Sequence, residues 1–244
     1  MKTRIIGDIH GDFTTYNHIT DGCTQSIQVG DFGISDKTYV KINYTGFGKS
    51  KHSYFGGNHD DWDKTLEAFA EGTQYTYSKP NPYYGDISDI IGVPAMFIAG
   101  AASIDAMYRI KRHIQDGVPK SWWYEEQIPS GMMNDCEKLY RKIQPQVVLS
   151  HDCPYICKKH VTQPDNGMMK KFGWDYDFTS KTQSLLYGLF KHNNPKLWIF
   201  GHYHTSKQFD VYGTRFVCLG IKEYLDLDTV TSTYTKGYED AVGF

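Results

Sequence analysis

The residues best suited to chemistry lie in five short segments that combine Asp, His, Asn and Gly. The segments are 8–10 (Asp-Ile-His), 30–31 (Gly-Asp), 57–60 (Gly-Asn-His-Asp), 151 (His) and 201–204 (Gly-His-Tyr-His). They hold five of the 10 histidines of the chain. Carboxylate, imidazole and amide oxygen, without a thiolate, form a donor set that suits divalent ions such as Mn²⁺, Fe²⁺, Zn²⁺ or Ni²⁺. The five segments therefore predict a metal site.

The spacing inside two of these segments supports the same interpretation. Asp8 and His10 are two residues apart, as are His202 and His204. In extended backbone, residues i and i+2 face the same side, so each pair can reach one ion. Asp, Asn and Gly also occur at turns for backbone reasons alone. That alternative explains any one segment, but it does not explain why half of the histidines gather in them.

Each of the five segments follows a short apolar run that is typical of a buried strand. The runs are 4–6, 26–29, 52–55, 146–149 and 196–200. Further strands are predicted at 87–93 and 95–99, with a hairpin of 207–211 and 214–219, and helices at 61–71, 133–142 and 179–192. This alternation predicts a layered α/β or α+β domain. Because open α/β sheets bind ligands at the carboxyl ends of their strands, we expect the five segments to meet at one edge.

Composition limits the class of protein. The chain has 244 residues, a hydrophobic content of 40% and a formal net charge of −2, which favours a buried core and gives no basic footprint for nucleic acid. The longest apolar stretch, 90–102, contains Pro94 and is too short to span a membrane, and the N-terminus has no apolar region of a signal peptide. The five cysteines follow no regular framework. We expect a single domain over 1–244 in the reducing cytoplasm.

Taken together, the five segments resemble the signature of the calcineurin-like metallophosphoesterases. That signature is Asp-x-His, Gly-Asp, Gly-Asn-His-Asp/Glu, a lone His and Gly-His-x-His, and all five parts occur in order between residues 8 and 204. Five matches in order argue strongly against chance. The resemblance implies an α/β fold, a four-layer α-β-β-α sandwich of two packed mixed sheets flanked by helices.

The resemblance also implies a dinuclear centre that holds two divalent ions, with Mn²⁺ as the first expectation and Fe, Zn, Ni or Mg as alternatives. One ion would be held by Asp8, His10, Asp31 and His204, and the other by Asp31, Asn58, His151 and His202. Asp31 would then bridge, and hydroxide between the ions would attack phosphorus. His59 is the implied general acid for the leaving oxygen, held in place by Asp60.

A further segment, from Ser103 to Glu126, resembles a Ser-x-Asp…Arg…Ser-Trp-Trp-x-x-Glu segment in a bacterial and phage branch of the superfamily. There the loop approaches the metal site, which implies that Arg109 clamps a phosphate and that Trp122 and Trp123 stack on a base or wall the pocket. The alternative is an ordinary packed loop with an Asp105–Arg109 salt bridge. Gly30-Asp31 is followed by Phe-Gly-Ile rather than by the downstream Asp-Arg-Gly of the Ser/Thr protein phosphatases, which disfavours that branch.

The predicted function is metal-dependent phosphoester hydrolysis. Monoesterase and diesterase activity both remain open, as does a nucleotide or nucleic acid as substrate, although a nuclease would need a local basic patch. The alternative from another class is a non-catalytic metal-binding scaffold, which the complete set of donors disfavours. The pattern Cys153, Cys157 and His160 lacks the second pair of a zinc site, so these cysteines are predicted to be packed residues. The oligomeric state stays open.

Overall fold

The strands form two sheets at the centre of the fold. The computed structural model describes residues 2–35, 51–70, 81–162, 167–173, 175, 177–237 and 242–243. Strands in these residues are β1 (Lys2–Ile6), β2 (Gln25–Gln28), β3 (Lys51–Tyr54), β4 (Tyr84–Asp86), β5 (Ala95–Ile98), β6 (Val147–Ser150), β7 (Leu197–Phe200), β8 (Lys207–Val211), β9 (Thr214–Cys218), β10 (Tyr224–Asp228), β11 (Thr233–Lys236) and β12 (Val242–Gly243). The first sheet has the order β12-β11-β10-β1-β2-β3 and the second has the order β4-β5-β6-β7-β9-β8.

Both sheets mix parallel and antiparallel pairs. In the first, β1, β2 and β3 are parallel, whereas β10 and β11 run antiparallel to their neighbours. In the second, β5, β6, β7 and β9 are parallel, with β4 and β8 antiparallel at the two edges. Parallel strands end at the same edge of a sheet, so the chain that leaves β1, β2 and β3 emerges on one side.

Helices cover the outer faces of the sheets. They are α1 (Phe13–Thr20), α2 (Trp62–Ala70), α3 (Ser88–Ile91), α4 (Ala106–Asp116), α5 (Ser130–Ile143), α6 (Lys158–Val161), α7 (Gly167–Lys171) and α8 (Lys181–His192), with 3₁₀ turns at Tyr124–Glu126 and Tyr155–Cys157. Local sequence starts two of them. The Asp12 carboxylate accepts the Thr15 N–H at the start of α1, and Ser180 and Gln183 form a capping box at α8.

The packing confirms the predicted four-layer sandwich. Successive residues of a strand point to opposite faces, and Ile5 and Ile6 of β1 accordingly belong to different clusters of buried apolar side chains. Ile5 joins the main cluster, which continues through the second sheet to Tyr140 of α5 and Leu189 of α8. Ile6 joins a smaller cluster beneath α1 with Phe13, Tyr16, Phe32 and Tyr54.

The structure corrects one predicted strand and adds helices to the predicted set. Residues 87–93 are not extended: β4 ends at Asp86, helix α3 follows, and Gly92 ends it in the left-handed region with φ 85°. A short apolar run does not by itself distinguish a strand from a buried helical turn. Helices α1 and α4 also have no counterpart among the predicted elements.

Among the described residues, no helix is both long enough and apolar enough to cross a bilayer.

The cysteines are free thiols, and the Cys153–Cys157–His160 pattern is part of ordinary packing. Cys153 and Cys157 are buried in the main cluster. The His160 ring stacks on Phe209 with centroids 4.3 Å apart. This agrees with the prediction that the two cysteines are packed residues.

Candidate active site

The five motif segments meet at the carboxyl ends of the strands that precede them. Asp8 follows β1, Asp31 follows β2, Asn58 follows β3, His151 follows β6 and His202 follows β7. The turns are tight: His10, Asp31, His202 and His204 have positive φ values of 49°, 54°, 68° and 53°. Residues other than Gly in this region carry strain, and such strain concentrates at functional sites.

Four of the predicted ligands form a first donor cluster. One atom each from Asp8, His10, Asp31 and His204 lies within 4.8 Å of the others, and these residues could hold a metal ion. The Nε2 atoms of His10 and His204 are 3.0 Å apart, and His204 Nε2 is 3.2 Å from Asp8 Oδ2. The side chain of Asp8 is fully buried, and both of its oxygens accept the His202 N–H at 3.1 Å.

The remaining predicted ligands form a second donor cluster beside the first. Asn58 Oδ1 is 3.0 Å from His151 Nε2 and 2.9 Å from His202 Nδ1. Asp31 stands between the clusters, with Oδ1 at 3.3 Å from His151 Nε2 and Oδ2 at 3.9 Å from His10 Nε2. One carboxylate therefore faces both donor sets, as the bridging role requires.

These donors fit divalent ions on chemical grounds. Asp31 Oδ2 is buried and has no hydrogen-bond partner among the described residues, which is costly for a carboxylate oxygen unless a cation satisfies it. His151 Nδ1 lies 2.8 Å from the Val29 carbonyl oxygen, so in the neutral ring that nitrogen donates and Nε2 presents a lone pair. In the neutral ring this lone pair faces Asn58 Oδ1, another acceptor, so either the added proton of an imidazolium or a metal cation would satisfy both atoms.

The electrostatics of the site also favour positive charge. Burial by itself lowers the pKa of the His151 imidazole, but the adjacent Asp31 carboxylate outweighs it and raises that pKa to about 10. Burial likewise opposes ionisation of Asp31, yet His151 outweighs it and the pKa of Asp31 is lowered. The Asp8 carboxylate raises the pKa of His204. The carboxylates thus attract protons to this cluster, as they would attract metal cations.

Two glycines of the motifs are required by close approach to the donors. A Cβ atom on Gly57 would overlap with Asp31 Oδ1 and with the Asp31 backbone nitrogen, and one on Gly201 would overlap with Asp8 Oδ1. Any larger residue would displace a carboxylate from the site. The Gly in Gly-Asn-His-Asp and in Gly-His-x-His therefore has a steric reason.

His59 lies at the edge of the two clusters, and its polar neighbour is Arg109. The His59 ring is exposed at the site and makes an edge contact with His10, with centroids 5.3 Å apart. Arg109 Nη2 lies 3.0 Å from each ring nitrogen of His59. Desolvation by the surrounding groups and the charge of Arg109 lower the pKa of His59 to about 4.

The structure places the Asp60 carboxylate away from its predicted role of holding His59. It accepts backbone N–H groups from Gly33 at 2.7 Å, Gly57 at 2.8 Å and Ile34 at 3.1 Å, with Phe32 at 3.3 Å. No hydrogen bond joins it to the His59 side chain in the described part of the chain. The reason is local: the loops after β2 and β3 present these donors, and a fully buried carboxylate needs them. Asp60 fixes the two loops that carry Asp31 and Asn58.

Arg109 makes the salt bridge of the packed-loop interpretation, whereas its role as a phosphate clamp stays a prediction. Its guanidinium bonds Asp105 through Nε at 2.8 Å and Nη2 at 2.8 Å, and Nη1 donates to the Ser121 carbonyl at 3.0 Å. The predicted salt bridge is therefore present. The same side chain also reaches His59, so helix α4 brings a positive charge to the edge of the donor clusters.

A cavity of about 480 Å³ opens from the donor clusters. Its lining includes His59, His202, His204 and Arg109 from the site, and beyond them Asp152, Lys158, Val161, Met169, Phe172, Phe178, Gln183 and Tyr203. Sequence reasoning misses these outer residues, because they come from separate elements and form no motif. Lys158 donates to the Phe178 carbonyl at 2.9 Å, and Tyr203 to Asp152 Oδ1 at 2.7 Å.

The tryptophan pair does not form the cavity wall as predicted, because neither ring is among the residues that line it. Trp123 is buried, and its indole N–H donates to Asp63 Oδ2 at 2.8 Å, an oxygen that Lys120 also contacts at 2.8 Å. The Trp122 indole nitrogen is buried as well. Trp123 therefore fastens its loop to helix α2.

The end of this loop reaches the second donor cluster through a buried polar chain. Asn58 Nδ2 donates to Ser103 Oγ at 3.0 Å, and Ser103 donates to Glu126 through Oγ at 2.7 Å and through its backbone nitrogen at 2.6 Å. Burial raises the pKa of Glu126 to about 7, against the opposing hydrogen bonds from Ser103.

An Asp/His cluster that could bind a metal ion lies at the strand ends of a two-sheet α/β sandwich. The family model for the calcineurin-like phosphoesterases matches residues 1–206, and the chain belongs to this family. Comparison with curated protein sequences gave no match.

Solved structures share the fold at low sequence identity. The protein TT1561 of Thermus thermophilus aligns with a TM-score of 0.57 and 15% identity, over 97% of both chains. Phosphopantetheinyl hydrolase from Mycobacterium tuberculosis aligns with a TM-score of 0.50 and 14% identity, over 91% of this chain and 90% of that one. GAP50, the anchor in the inner membrane complex of Plasmodium, aligns with a TM-score of 0.51 and 11% identity, over 96% and 84%. The three TM-scores show a shared fold.

Proposed function

We propose that the protein hydrolyses a small-molecule phosphomonoester at two divalent ions, with Mn²⁺ as the first candidate. The observation that carries this proposal is the Asp31 carboxylate, buried between two donor clusters with Oδ2 unpartnered among the described residues. The first ion would be held by Asp8, His10, Asp31 and His204, and the second by Asp31, Asn58, His151 and His202. When bound, such a pair polarises phosphoryl oxygens and makes a nearby water more acidic.

His59 would supply the proton for the leaving oxygen, and Arg109 would help to orient the phosphate. His59 is exposed to the cavity beside the donors, where its imidazolium can give a proton to the leaving oxygen. Arg109, 3.0 Å from the His59 ring, adds a positive charge at the same end of the cavity. Because a dianionic phosphate attracts a proton, substrate binding would offset the low proton affinity of His59 at the moment that the proton is needed.

Charge favours a monoester over a diester. Asp8 and Asp31 contribute −2 and two divalent ions would contribute +4, so the loaded centre is about +2 before any anion binds. A phosphomonoester near pH 7 carries close to two negative charges, whereas a diester carries one. The stronger attraction therefore goes to the monoester. A net charge of −2 for the whole chain offers no general attraction for a nucleic acid.

The cavity suggests the size and character of the leaving group. Its volume of about 480 Å³ suits a small organic molecule. Phe172, Phe178, Met169 and Val161 offer apolar contact on the side away from the ions, with Lys158 beside them. A leaving group with an apolar or aromatic part and an acceptor group matches this lining.

A scaffold role is the alternative that the fold leaves open, because GAP50 shares the fold and is described as an anchor. The donor set favours an enzyme. A scaffold needs neither a bridging carboxylate between two donor clusters nor a histidine at the mouth of a cavity beside them.

The test combines metal analysis with a substrate panel. The protein loaded with Mn²⁺ is assayed on p-nitrophenyl phosphate, nucleoside monophosphates, bis-p-nitrophenyl phosphate and a short oligonucleotide. Asp31→Asn and His59→Ala are expected to abolish most turnover, whereas the matched surface variants Asp21→Asn and His18→Ala keep it. Two bound ions without turnover of any ester would support the scaffold. Turnover of diesters alone would contradict the monoester assignment.

A further inference from the structure

We infer that Glu126 is a positioning residue for the second metal ion, because it acts through Ser103 to fix which side-chain atom of Asn58 faces that ion. The inference rests on the proposed metal centre. It assigns a role to the two ends of the segment from Ser103 to Glu126, which the proposed reaction does not use directly.

An asparagine ligand has an orientation problem that a carboxylate ligand does not have. Its side-chain amide can rotate by half a turn and exchange an oxygen for an NH₂ group at almost no steric cost. Only the oxygen has lone pairs for a cation, since the NH₂ group is a donor of two hydrogen bonds. A metal site that uses Asn58 must therefore hold its amide in one of two nearly equivalent orientations.

The hydrogen bonds that link Asn58, Ser103 and Glu126 select one orientation of the Asn58 amide, because each of them has a fixed donor and acceptor. Above about pH 7 Glu126 is ionised and can only accept, so it takes both the N–H and the O–H of Ser103, at 2.6 and 2.7 Å. The single hydroxyl proton of Ser103 is then committed, and its oxygen can only accept from Asn58. The Asn58 NH₂ group is thereby held at Ser103, 3.0 Å away.

The opposite end of the amide points at the second donor cluster. Asn58 Oδ1 lies 3.0 Å from His151 Nε2 and 2.9 Å from His202 Nδ1. Rotation of the amide would put its two hydrogens into this cluster and leave its oxygen against Ser103 Oγ. The hydrogen-bond chain thus sets the oxygen toward the ion.

The three hydrogen-bonded residues are shielded from water, and backbone contacts hold Glu126 in place. Asn58, Ser103 and Glu126 are 3%, 5% and 2% exposed, so solvent does not easily replace their bonds. The Ala101 N–H donates to the Glu126 carbonyl at 2.9 Å, and a Cβ on Gly100 would overlap with that same carbonyl. Glu126 makes no ion pair within 4.0 Å in the described part of the chain. A buried carboxylate without a paired cation is costly, and a role in orienting Asn58 accounts for its presence.

The test measures metal binding rather than turnover. Metal-free protein is titrated with Mn²⁺ by calorimetry, for wild type, Ser103→Ala, Glu126→Ala and the matched control Glu125→Ala from the same turn. We expect Ser103→Ala and Glu126→Ala to keep the first ion and to weaken the second by about 10- to 100-fold, as is typical when a partner of a ligand is removed. Glu125→Ala is expected to bind both ions as wild type does.

A second background separates positioning from general structural damage. Asn58→Asp presents an oxygen on both sides, so its orientation needs no fixing, and Ser103→Ala in this background is expected to change the second affinity by less than about twofold. Equal weakening of both ions, or the same loss in both backgrounds, overturns the inference. If Glu126→Ala does not fold, the inference is tested by the metal affinity of Ser103→Ala, which removes only one oxygen atom. A wild-type protein that binds fewer than two ions contradicts the proposed function itself.

Discussion

At the scale of single residues, the site depends on close steric fits and on buried ionisable groups. Gly57 shows this for shape: its Cα lies so close to the Asp31 carboxylate that a Cβ would overlap with it. Glu126 shows it for charge, because it is a buried acid whose pKa is raised to about 7. Each leads to a measurable prediction.

Gly57→Ala is expected to weaken metal binding strongly and to lower the free energy of unfolding by about 1–3 kcal/mol, because a new methyl group must displace the Asp31 carboxylate. The measurements are Mn²⁺ titration and urea denaturation. The matched control is Gly188→Ala in the interior of α8, where a Cβ meets no atom within 4 Å. That change is expected to stabilise by about 0.5–1 kcal/mol. Wild-type metal affinity in Gly57→Ala would contradict the steric explanation.

Glu126 predicts a pH dependence of stability in the metal-free protein. Its pKa is raised from an ordinary 4.5 to about 7, so between these values the folded state keeps a proton that the unfolded state releases. The free energy of unfolding therefore falls as pH rises through this window, by up to about 3 kcal/mol. Urea denaturation from pH 4.5 to 7.5 measures it. Glu126→Gln is expected to lose this part of the slope and Glu125→Gln to keep it; identical slopes in all three would count against a buried, proton-binding Glu126.

At the scale of elements, the loop between α4 and α5 is held at two points, and it also supports the site. Trp123 and Lys120 anchor it to Asp63 of α2, each at 2.8 Å, while Glu126 anchors it at Ser103. We expect Trp123→Phe, which keeps an aromatic ring but removes the N–H donor and part of the buried indole, to cost about 2–3 kcal/mol of stability. Since Trp123 does not line the cavity, KM for p-nitrophenyl phosphate is expected to stay within about twofold.

Arg109→Lys provides the contrast for that measurement. Arg109 lines the cavity and bonds Asp105 and Ser121 at once, and a lysine cannot reproduce the planar fork. Its KM is expected to rise. If KM rises in Trp123→Phe and stays unchanged in Arg109→Lys, the assignment of the two side chains is reversed, and Trp123 contacts substrate after all.

Elements also show how far sequence reasoning reaches. The strands before the five motifs were predictable because each is an apolar run that stops at Gly or at a polar residue. Helix α4 was not, since it exposes Met107, Tyr108 and Ile114 and buries Arg109, the reverse of the usual pattern. The Asn58–Ser103–Glu126 chain joins residues 45 and 23 positions apart, and no local pattern encodes such contacts. The motif residues could be grouped from sequence, whereas the partners of Asp60 and Trp123 required the fold.

At the scale of the whole molecule, the proposed metal binding would be linked to folding. The donor clusters draw on loops from both sheets, so the unfolded chain has no such site, and ions would bind the folded state. At a free Mn²⁺ concentration 100 times the dissociation constant, one site adds about 2.7 kcal/mol of stability, which for a chain of this size raises Tm by about 5–10 °C. Thermal denaturation with Mn²⁺ and with EDTA measures the shift. Asp31→Asn is expected to show little of it; an equal shift in that variant would place the ions elsewhere.

The position of β1 has a consequence for how the protein is made. This strand is made before the other described strands, yet it lies inside its sheet between β2 and β10, and Lys2 pairs with Asp228. The first donor cluster likewise joins Asp8, directly after β1, to His204, so it is complete only after His204 has been made. The chain must therefore be made as far as β10 before β1 has both of its neighbours, and contacts at such long separation are slow to form. The nascent chain thus carries Asp8 long before His204 is made and the first donor cluster can assemble.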